Sequence, residues 1–594
     1  MALTAAQVAE QKKQVEELIA GSDVGFAKAL FFGKLKGELL FPYPALPPEQ
    51  AALANEQADK VRAYADAHID HMKIDREARI PDDVIAGLAK LDVYRLTIPK
   101  EFGGLGFNQQ MYLRTMEVLG GHDSSVAVFV NAHHSIGARA LLLFGAKEQQ
   151  SQWLPGLLDG SKLCAFALTE PEAGSDAGNV QTTATPTEDG SGYILNGVKH
   201  YITNGGIADV LTVMARTPVE GVAGAAPGSK VTAFLVTPQM EGFEVLEARA
   251  EKCGIRGTAT GKIRFTNMRV PKENILGPVG KGLKVALTVL DFGRTTFGAS
   301  CTGHAKACLK AMIDHAKRRV QFQQLLAEFQ LVRKKIAFAA AHTFAMEAAT
   351  AQCAAFIDRG FEDYMLETAI LKVFATEHLW TIVNDTIQVW GGKAYFCDQP
   401  LERWMRDARI NLIGEGANDV LKAFVAVVGC RGPGEYLKGL RDDMMGGRWS
   451  LRKIGAALGV GASLVIPWAT TGTPEVPVKS PELQDEAHTL GKIVREFGLK
   501  LPHVFMELKD ETKFVQAQLV HERIADIAID LYVSSCVLSR LDSMPANDPQ
   551  APAGRYFLKC AFRRIKERFA ALDDHDDASC LDAAKAALHA GAIA

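Results

Sequence analysis

The sequence predicts an α+β multidomain protein. It has an N-terminal helical domain, a middle antiparallel β-barrel or sandwich domain, a helical bundle, and an additional helical C-terminal domain. Three observations predict it. Helical spacing dominates residues 1–155. Residues 160–275 break into short β-rich runs separated by turn residues. Long helical patterns return over 280–430 and again over 435–594. At ~150 residues per domain, 594 residues make about four such units.

The first region opens with a leader, separated from the next helical stretch by Pro42, Pro44, Pro47 and Pro48. Helical spacing then runs to Pro99, with the Gly103-Gly104 turn just beyond it. The β region comprises CAFALT, GYILNG, KHYITNG, DVLTVMART, KVTAFLVT and KIRFTNMRV. In the bundle region, Gly298, Ala299, Ser300 and Gly303 are small enough for two helices to approach closely. In the last region, Val520, Ile524, Ile527, Leu531 and Leu538 form one apolar stripe, and the stretch Ser543 to Pro549 ends that helix. The acidic run Asp573 to Asp577 reads as a solvated turn. We place the boundaries at 1–50 (leader), 51–158, 159–278, 279–432, 433–480 (linker) and 481–594.

Composition narrows the function. With 48% apolar and 23% charged residues the chain is neither disordered nor fibrous. Lys and Arg number 66 against 69 Asp and Glu, so nothing marks nucleic acid as a partner. The ten cysteines contain no CxxC pair, which argues against disulfides or a structural metal and for a reducing compartment. The N-terminus lacks a secretory pattern, and a bacterial cytosol or a mature mitochondrial form is expected. Ile454–Ala469 is apolar but too short to span a bilayer, and it comes after Arg448, Arg452 and Lys453. It suits a peripheral membrane contact through 438–469, and equally a glycine-rich buried hairpin or loop.

Several chemistries are absent. No G-x-G-x-x-G follows a strand, no phosphate-binding P-loop is present, and no G-x-S-x-G occurs. His68 and His71 near Asp70 read as surface residues rather than metal ligands. Three segments carry chemistry instead. Leu168-Thr169-Glu170-Pro171-Glu172-Ala173-Gly174-Ser175 is a strand end entering a polar glycine loop, suited to phosphate or the edge of a heterocycle. Tyr201-Ile202-Thr203 puts an aromatic ring and a hydroxyl two residues apart on one strand face, a wall for a flat ring. Glu415 precedes a helix that Asn418 could cap, flanked only by Ile413, Gly414, Gly416 and Ala417. A carboxylate in such an apolar setting has a raised pKa and can serve as a general base. The helix N-terminus pulls the other way, and taken alone a Glu at a helix start reads as a partner of the helix dipole.

Taken together, LTEPEAGSDAG, YITNGG, GIRGTATGKIRFTNMRVPKENILG, LDFGR, RRVQF, QVWGG and MRDARINLIGEGANDV resemble the acyl-CoA dehydrogenase family over residues ~80–430. The leader and the C-terminal helices resemble its very-long-chain branch. That resemblance implies a four-helix bundle after the β domain, FAD as cofactor, and a homodimer with a membrane-associating C-terminal domain. It implies α,β-dehydrogenation of a long-chain fatty acyl-CoA to the trans-2-enoyl-CoA, with electrons passed to an electron-transfer flavoprotein. Glu415 matches the catalytic base. Phe166, Leu168, Thr169 and Ser175 match positions that meet the flavin and its pyrophosphate. Tyr201, Ile202 and Thr203 match the cover of the flavin ring, and Ala417 and Asp419 also fall at cofactor positions. Arg319, Phe322, Gln388 and Gly392 match residues that reach the FAD of a neighbouring subunit. Ser175, Asp291, Arg294 and Gly416 match acyl-CoA contacts.

The match is uneven at a few positions. Tyr201 stands where tryptophan is usual, Gln323 and Ala394 where glycine is, and Gly414 and Ala417 where an aromatic residue and threonine are. Two other activities are compatible with the pattern: an oxygen-using acyl-CoA oxidase, and a non-catalytic assembly protein on the same fold.

Overall fold

The structure is a computed structural model that describes residues 25–218, 229–445, 472–508 and 511–589. Two compact units make up the chain. The larger contains Ala45–Glu362 and Leu371–Ala417; the smaller contains the described residues of Asp23–Pro44, Asp363–Ile370 and Asn418–Ala594.

The larger unit starts with the helices Pro48–His68, His71–Glu77, Asp82–Lys90 and Gln109–His122. Polar side chains set where they begin. Asp70 accepts from the backbone N–H groups of Met72 and Lys73, and Asn108 accepts from that of Met111. This leaves His68 and His71 on different helices, and burial lowers the His71 imidazole to about 4. Val61, Ile74, Leu88, Tyr94, Met116 and Phe129 fill the core between them. Asp123 caps the next helix, Ser124–Val130, by accepting from the Val126 N–H. That helix runs into a π-helical stretch, Asn131–Ala138, and then Arg139–Phe144. Ser124–Phe144 is long and apolar enough to cross a membrane, but 83% of its most apolar window is buried inside the protein. It is a core element.

The middle of this unit is an eight-stranded sheet. Its strands are β1 (Cys164–Ala167), β2 (Thr183–Pro186), β3 (Gly192–Thr203), β4 (Val210–Pro218), β5 (Ser229–Val236), β6 (Phe243–Glu247), β7 (Thr260–Pro271) and β8 (Ile275–Leu276). The order is β6-β7-β3-β2-β4-β5-β8, with β1 parallel to β4. The long pairings are antiparallel, as in Met214 opposite Ala233 and Val198 opposite Arg264. The path ends at β6 and β8 without closing into a ring. GYILNG and KHYITNG are one strand, while the short β2, β6 and β8 carry too few apolar residues to stand out in sequence. Val210 to Ala215 of β4 are all buried, because both faces of the sheet are covered. One face packs Leu211, Val213, Phe234 and Phe265; the other meets Trp153, Leu154 and Leu157 of the Lys147–Asp159 helix.

Long helices come next: Gly282–Ala316, Gln330–Asp358, Met365–Trp390 from Leu371 onward, and Leu401–Arg409. The small residues expected at a close crossing are at one. A Cβ on Gly303 would stand 1.9 Å from the Glu117 carbonyl oxygen, and one on Gly120 would stand 2.3 Å from that of Ser300.

In the smaller unit, the Gln518–Ser543 helix is surrounded by Asn418–Met445, Gln484–Leu508, Ala551–Asp573 and the leader helix Phe26–Leu30. Ile524, Ile527, Leu531 and Leu538 are buried as the stripe predicts, but so are Asp530, Ser534 and Ser535 on other faces. Asp530 is matched there by Arg564 at 2.7 Å. The leader is tied down at Ala27, whose N–H donates to the buried Glu367 carboxylate at 2.8 Å. The acidic run forms the exposed turn expected, Asp573 to Asp576 all being exposed; at its edges Asp577 takes two guanidinium nitrogens of Arg523 and Asp573 pairs with Lys500. Of the segment 438–469 singled out for membrane contact, 446–469 lies outside the described residues.

Candidate active site

Glu415 sits in a turn between the 3-10 stretch Ile410–Leu412 and the helix that starts at Asn418. Its backbone is left-handed, with φ 58°, and Gly416 comes next at φ 104°. Two successive residues in that region reverse the chain sharply and need external support. Buried groups from two helices supply it. Lys372 Nζ donates to the Gly416 carbonyl at 2.7 Å, and Arg294 Nε lies 3.5 Å from the Glu415 carbonyl. Arg294 is itself paired with Asp291 at 3.1 Å, and both are about 5% exposed.

The carboxylate points inward. Oε1 accepts from Asn131 Nδ2 at 2.8 Å, while Oε2 is buried with no hydrogen-bond partner. A Cβ on Gly293 would stand 3.2 Å from Oε2 and 3.1 Å from Ile136, so only glycine leaves that side of the carboxylate open. Burial pushes the Glu415 carboxyl up to about 7, against the opposing pull of Lys372, Arg294 and the Asn131 amide. Burial likewise lowers the Lys372 ammonium to about 8.

The sequence placed no partner beside Glu415, because its chain neighbours are apolar or glycine. Asn131 and Lys372 come from 284 and 43 positions away, and no local pattern marks either. Gly293 lies within LDFGR, which does mark it.

The strand ends form the second cluster. The His200 N–H donates to the Thr169 carbonyl at 3.0 Å, and Lys199 Nζ donates to the Leu168 carbonyl at 3.0 Å. Phe166, Leu168, Thr169 and Thr203 are half-buried there, Ile202 is buried, and Ser175 is exposed in the loop beyond. The regular pleat does not carry through to Tyr201. A bulge between Lys199 and Ile202 puts Tyr201 at φ 60°, its ring stacked on His200 at 3.8 Å and 64% exposed. Bulges of this kind re-aim a side chain. Asn204, just past β3, donates to the Phe129 carbonyl at 3.4 Å. Phe129 is two residues before Asn131, so one helical stretch touches both the end of the sheet and the Glu415 carboxylate.

A third group lies at the far end of the helices. Arg319, Phe322, Gln388 and Gly392 are exposed, and Phe322 is 90% exposed. Arg319 lies just past the Gly282–Ala316 helix, and Phe322-Gln323 turns a hairpin with φ values of 51° and 65°. Stacking of His315 on Trp390 at 4.5 Å brings Gln388 and Gly392 to the same end. Ala394 is buried, and a Cβ on Gly414 would meet only the Ile410 carbonyl oxygen, at 3.6 Å. Ala417 is half-buried in the turn after Glu415, and Asp419 is exposed in the first helical turn of the smaller unit.

Family descriptions match the chain in four consecutive blocks. They are the acyl-CoA dehydrogenase N-terminal domain over 51–161, middle domain over 165–268 and C-terminal domain over 280–428, and the ACAD9/ACADV C-terminal domain over 481–587. The chain belongs to the acyl-CoA dehydrogenase family. It is 36% identical over 566 residues to the mitochondrial very long-chain specific acyl-CoA dehydrogenase of Mus musculus, covering 92% of this chain and 84% of that protein. A Bacillus anthracis acyl-CoA dehydrogenase solved in complex with FAD superposes with a TM-score of 0.74 at 25% identity, covering 94% of each chain. Butyryl-CoA dehydrogenase of Megasphaera elsdenii matches 64% of this chain and 97% of its own, with a TM-score of 0.59 and 31% identity. Relatives thus include mitochondrial and bacterial proteins.

Enzymes of this family are FAD-dependent oxidoreductases, and the residues present fit that cofactor. At the strand ends, Tyr201 offers an open aromatic face, Thr169 and Thr203 bring hydroxyls, and Gly174 leaves clear space where a Cβ would stand.

Proposed function

We propose that the protein catalyses the α,β-dehydrogenation of long-chain or very-long-chain fatty acyl-CoA to the trans-2-enoyl-CoA, delivering electrons to an electron-transfer flavoprotein. The observation that carries this reading is Glu415: a buried carboxylate with one oxygen tied down and the other without a partner. A proton next to a thioester carbonyl is weakly acidic, and a carboxylate raised to about 7 is a far stronger base than an exposed one while still partly ionised at neutral pH. Glu415 Oε2 takes the α-proton and holds it. FAD, when bound, supplies the acceptor for the β-hydrogen and its electron pair.

The other residues bind and orient. Phe166, Leu168, Thr169, Tyr201, Ile202 and Thr203 hold the flavin against the strand ends, with Ser175 and Ala417 at its flanks. Asp291, Arg294 and Gly416, with Ser175, meet the acyl-CoA. Removing water from around Glu415 keeps the base strong.

Arg319, Phe322, Gln388 and Gly392 serve the FAD of a second subunit in a homodimer. The exposed side chains Phe322, Leu331, Tyr395 and Phe396 support that arrangement, since a monomer seldom leaves so many large apolar groups to solvent. An arginine at this position pairs well with a diphosphate. Peripheral contact with an anionic membrane through 438–469 rests on the charge and apolar pattern of that segment.

The test is an anaerobic titration of the yellow holoenzyme with acyl-CoAs of increasing length, read by flavin absorbance. Long chains are expected to bleach it. Glu415→Gln is expected to stay yellow and bind acyl-CoA without bleaching; bleaching at the normal rate in that variant overturns the assignment.

A further inference from the structure

Asn131 has no role assigned by the family motifs, yet it makes the hydrogen bond that fixes the Glu415 carboxylate. We propose that Asn131 is a positioning residue that directs the transferred proton to Glu415 Oε2. The inference deepens the dehydrogenase reading above and rests on it.

Asn131 is 2% exposed and begins the π-helical stretch Asn131–Ala138. An i→i+5 turn inside a helix is uncommon and is often found beside functional groups. Here it starts just after the point where Phe129 receives the Asn204 amide, so the stretch is anchored on its sheet side. From that anchor the Asn131 amide reaches Oε1 at 2.8 Å.

The orientation of the amide is set by chemistry. A carboxylate only accepts, so the NH2 end must face it and the carbonyl end must face away. That carbonyl, Oδ1, is buried without a partner. An amide N–H can donate to a carboxylate and equally to the carbonyl oxygen of the protonated acid. It cannot accept. A proton arriving on Glu415 therefore finds Oε1 already engaged by a donor and Oε2 with neither lone pair used. Oε2 is the oxygen on the side that Gly293 keeps clear.

The other groups around the carboxylate act differently. Lys372, Arg294 with its partner Asp291, and the thiol of Cys301 are the titratable and charged groups near it. Lys372 bonds to the Gly416 carbonyl and Arg294 approaches the Glu415 carbonyl, so both hold the backbone. Among the described residues, Asn131 makes the side-chain hydrogen bond to the carboxylate itself.

The test compares holoenzymes bearing Asn131→Leu, close in size without a donor, and Asn131→Ser, smaller with a donor. Each is measured for kcat, KM and the pH dependence of both, together with melting temperature and binding of a non-reacting acyl-CoA analogue. For Asn131→Leu we expect kcat to fall about tenfold, KM to change less than twofold, and the pH midpoint to move up by about one unit. Asn131→Ser should recover part of the shift. A merely structural residue would lower the melting temperature and leave the midpoint in place. A stable Asn131→Leu enzyme with unaltered midpoint and kcat overturns the proposal. Should that result accompany a Glu415→Gln enzyme that cannot bleach, the dehydrogenase reading stands and only the role of Asn131 fails.

Discussion

Two lysine–glutamate pairings are buried in the same unit, and they are built in opposite ways. Lys199 and Glu170 lie under the sheet, with Nζ to Oε1 at 2.7 Å. Glu170 also accepts from the Gln181 N–H at 2.5 Å and the Thr182 N–H at 3.0 Å, so both its oxygens are used. Its carboxyl is held below the ordinary range despite the burial. Lys372 lies close enough to Glu415 to favour its charge, but its ammonium donates to the Gly416 backbone carbonyl. Glu415 keeps one oxygen unsatisfied, and its carboxyl is pushed up to about 7. A glutamate that only stabilises is fully matched. The one proposed to accept a proton is left short of partners, and the fold carries the cost of that shortfall.

The sharpest way to break this contrast is to neutralise each glutamate. Glu415→Gln should reduce turnover by about a thousandfold or more while the protein stays folded. Glu170→Gln should instead lower the melting temperature, with turnover of the surviving fold near normal. Removing the cations comes next. Lys199→Met strands a buried carboxylate and should destabilise by about 3–5 kcal/mol in denaturant unfolding. Lys372→Met should lower kcat at pH 7 by about tenfold and move its pH midpoint upward, since a nearby positive charge favours the ionised base.

Stability against pH sharpens the contrast further. The Glu415 carboxyl in the fold is at about 7, above its reference of 4.5. Between those values the folded chain keeps a proton that the unfolded chain has lost, so stability falls as pH rises through that window. Glu415→Gln removes this contribution. Its stability relative to the parent should grow by about 3 kcal/mol from pH 4.5 to 7.5, read by chemical denaturation at each pH. Glu367 and Asp407, both buried and also raised to about 7, continue to give the variant a downward slope. The smallest effect is expected from Gly293→Ala, whose methyl would crowd Oε2: a several-fold loss in kcat with little change in melting temperature.

The sequence makes part of this visible. Alternation and turn residues mark β1, β3, β4, β5 and β7, because their apolar residues must face a core. The small residues at Gly298 to Gly303 reveal a close helix crossing, since nothing larger fits against Glu117. Glu415 stands out by its apolar neighbours. Most of its surroundings do not, because Asn131 and Lys372 arrive from distant parts of the chain and each sits in a local context that reads as ordinary helix, whereas Arg294 is marked by LDFGR. Tyr201 is a different case. The alternating pattern around it describes an unbroken strand, and only the pairing of β3 with β7 reveals the bulge.

The Gly282–Ala316 helix runs for 35 residues without interruption. Gly293 and Arg294 stand beside Glu415 toward its start, while the hairpin bearing Phe322 leaves from its end. At 1.5 Å per residue, Arg294 and Ala316 are roughly 33 Å apart on one stiff rod. No bending of a loop could bring that hairpin back to its own base. In the proposed dimer each chain would finish its neighbour's cofactor cradle and depend on that neighbour for its own. Dilution should then bleed away the yellow colour well before any helix melts.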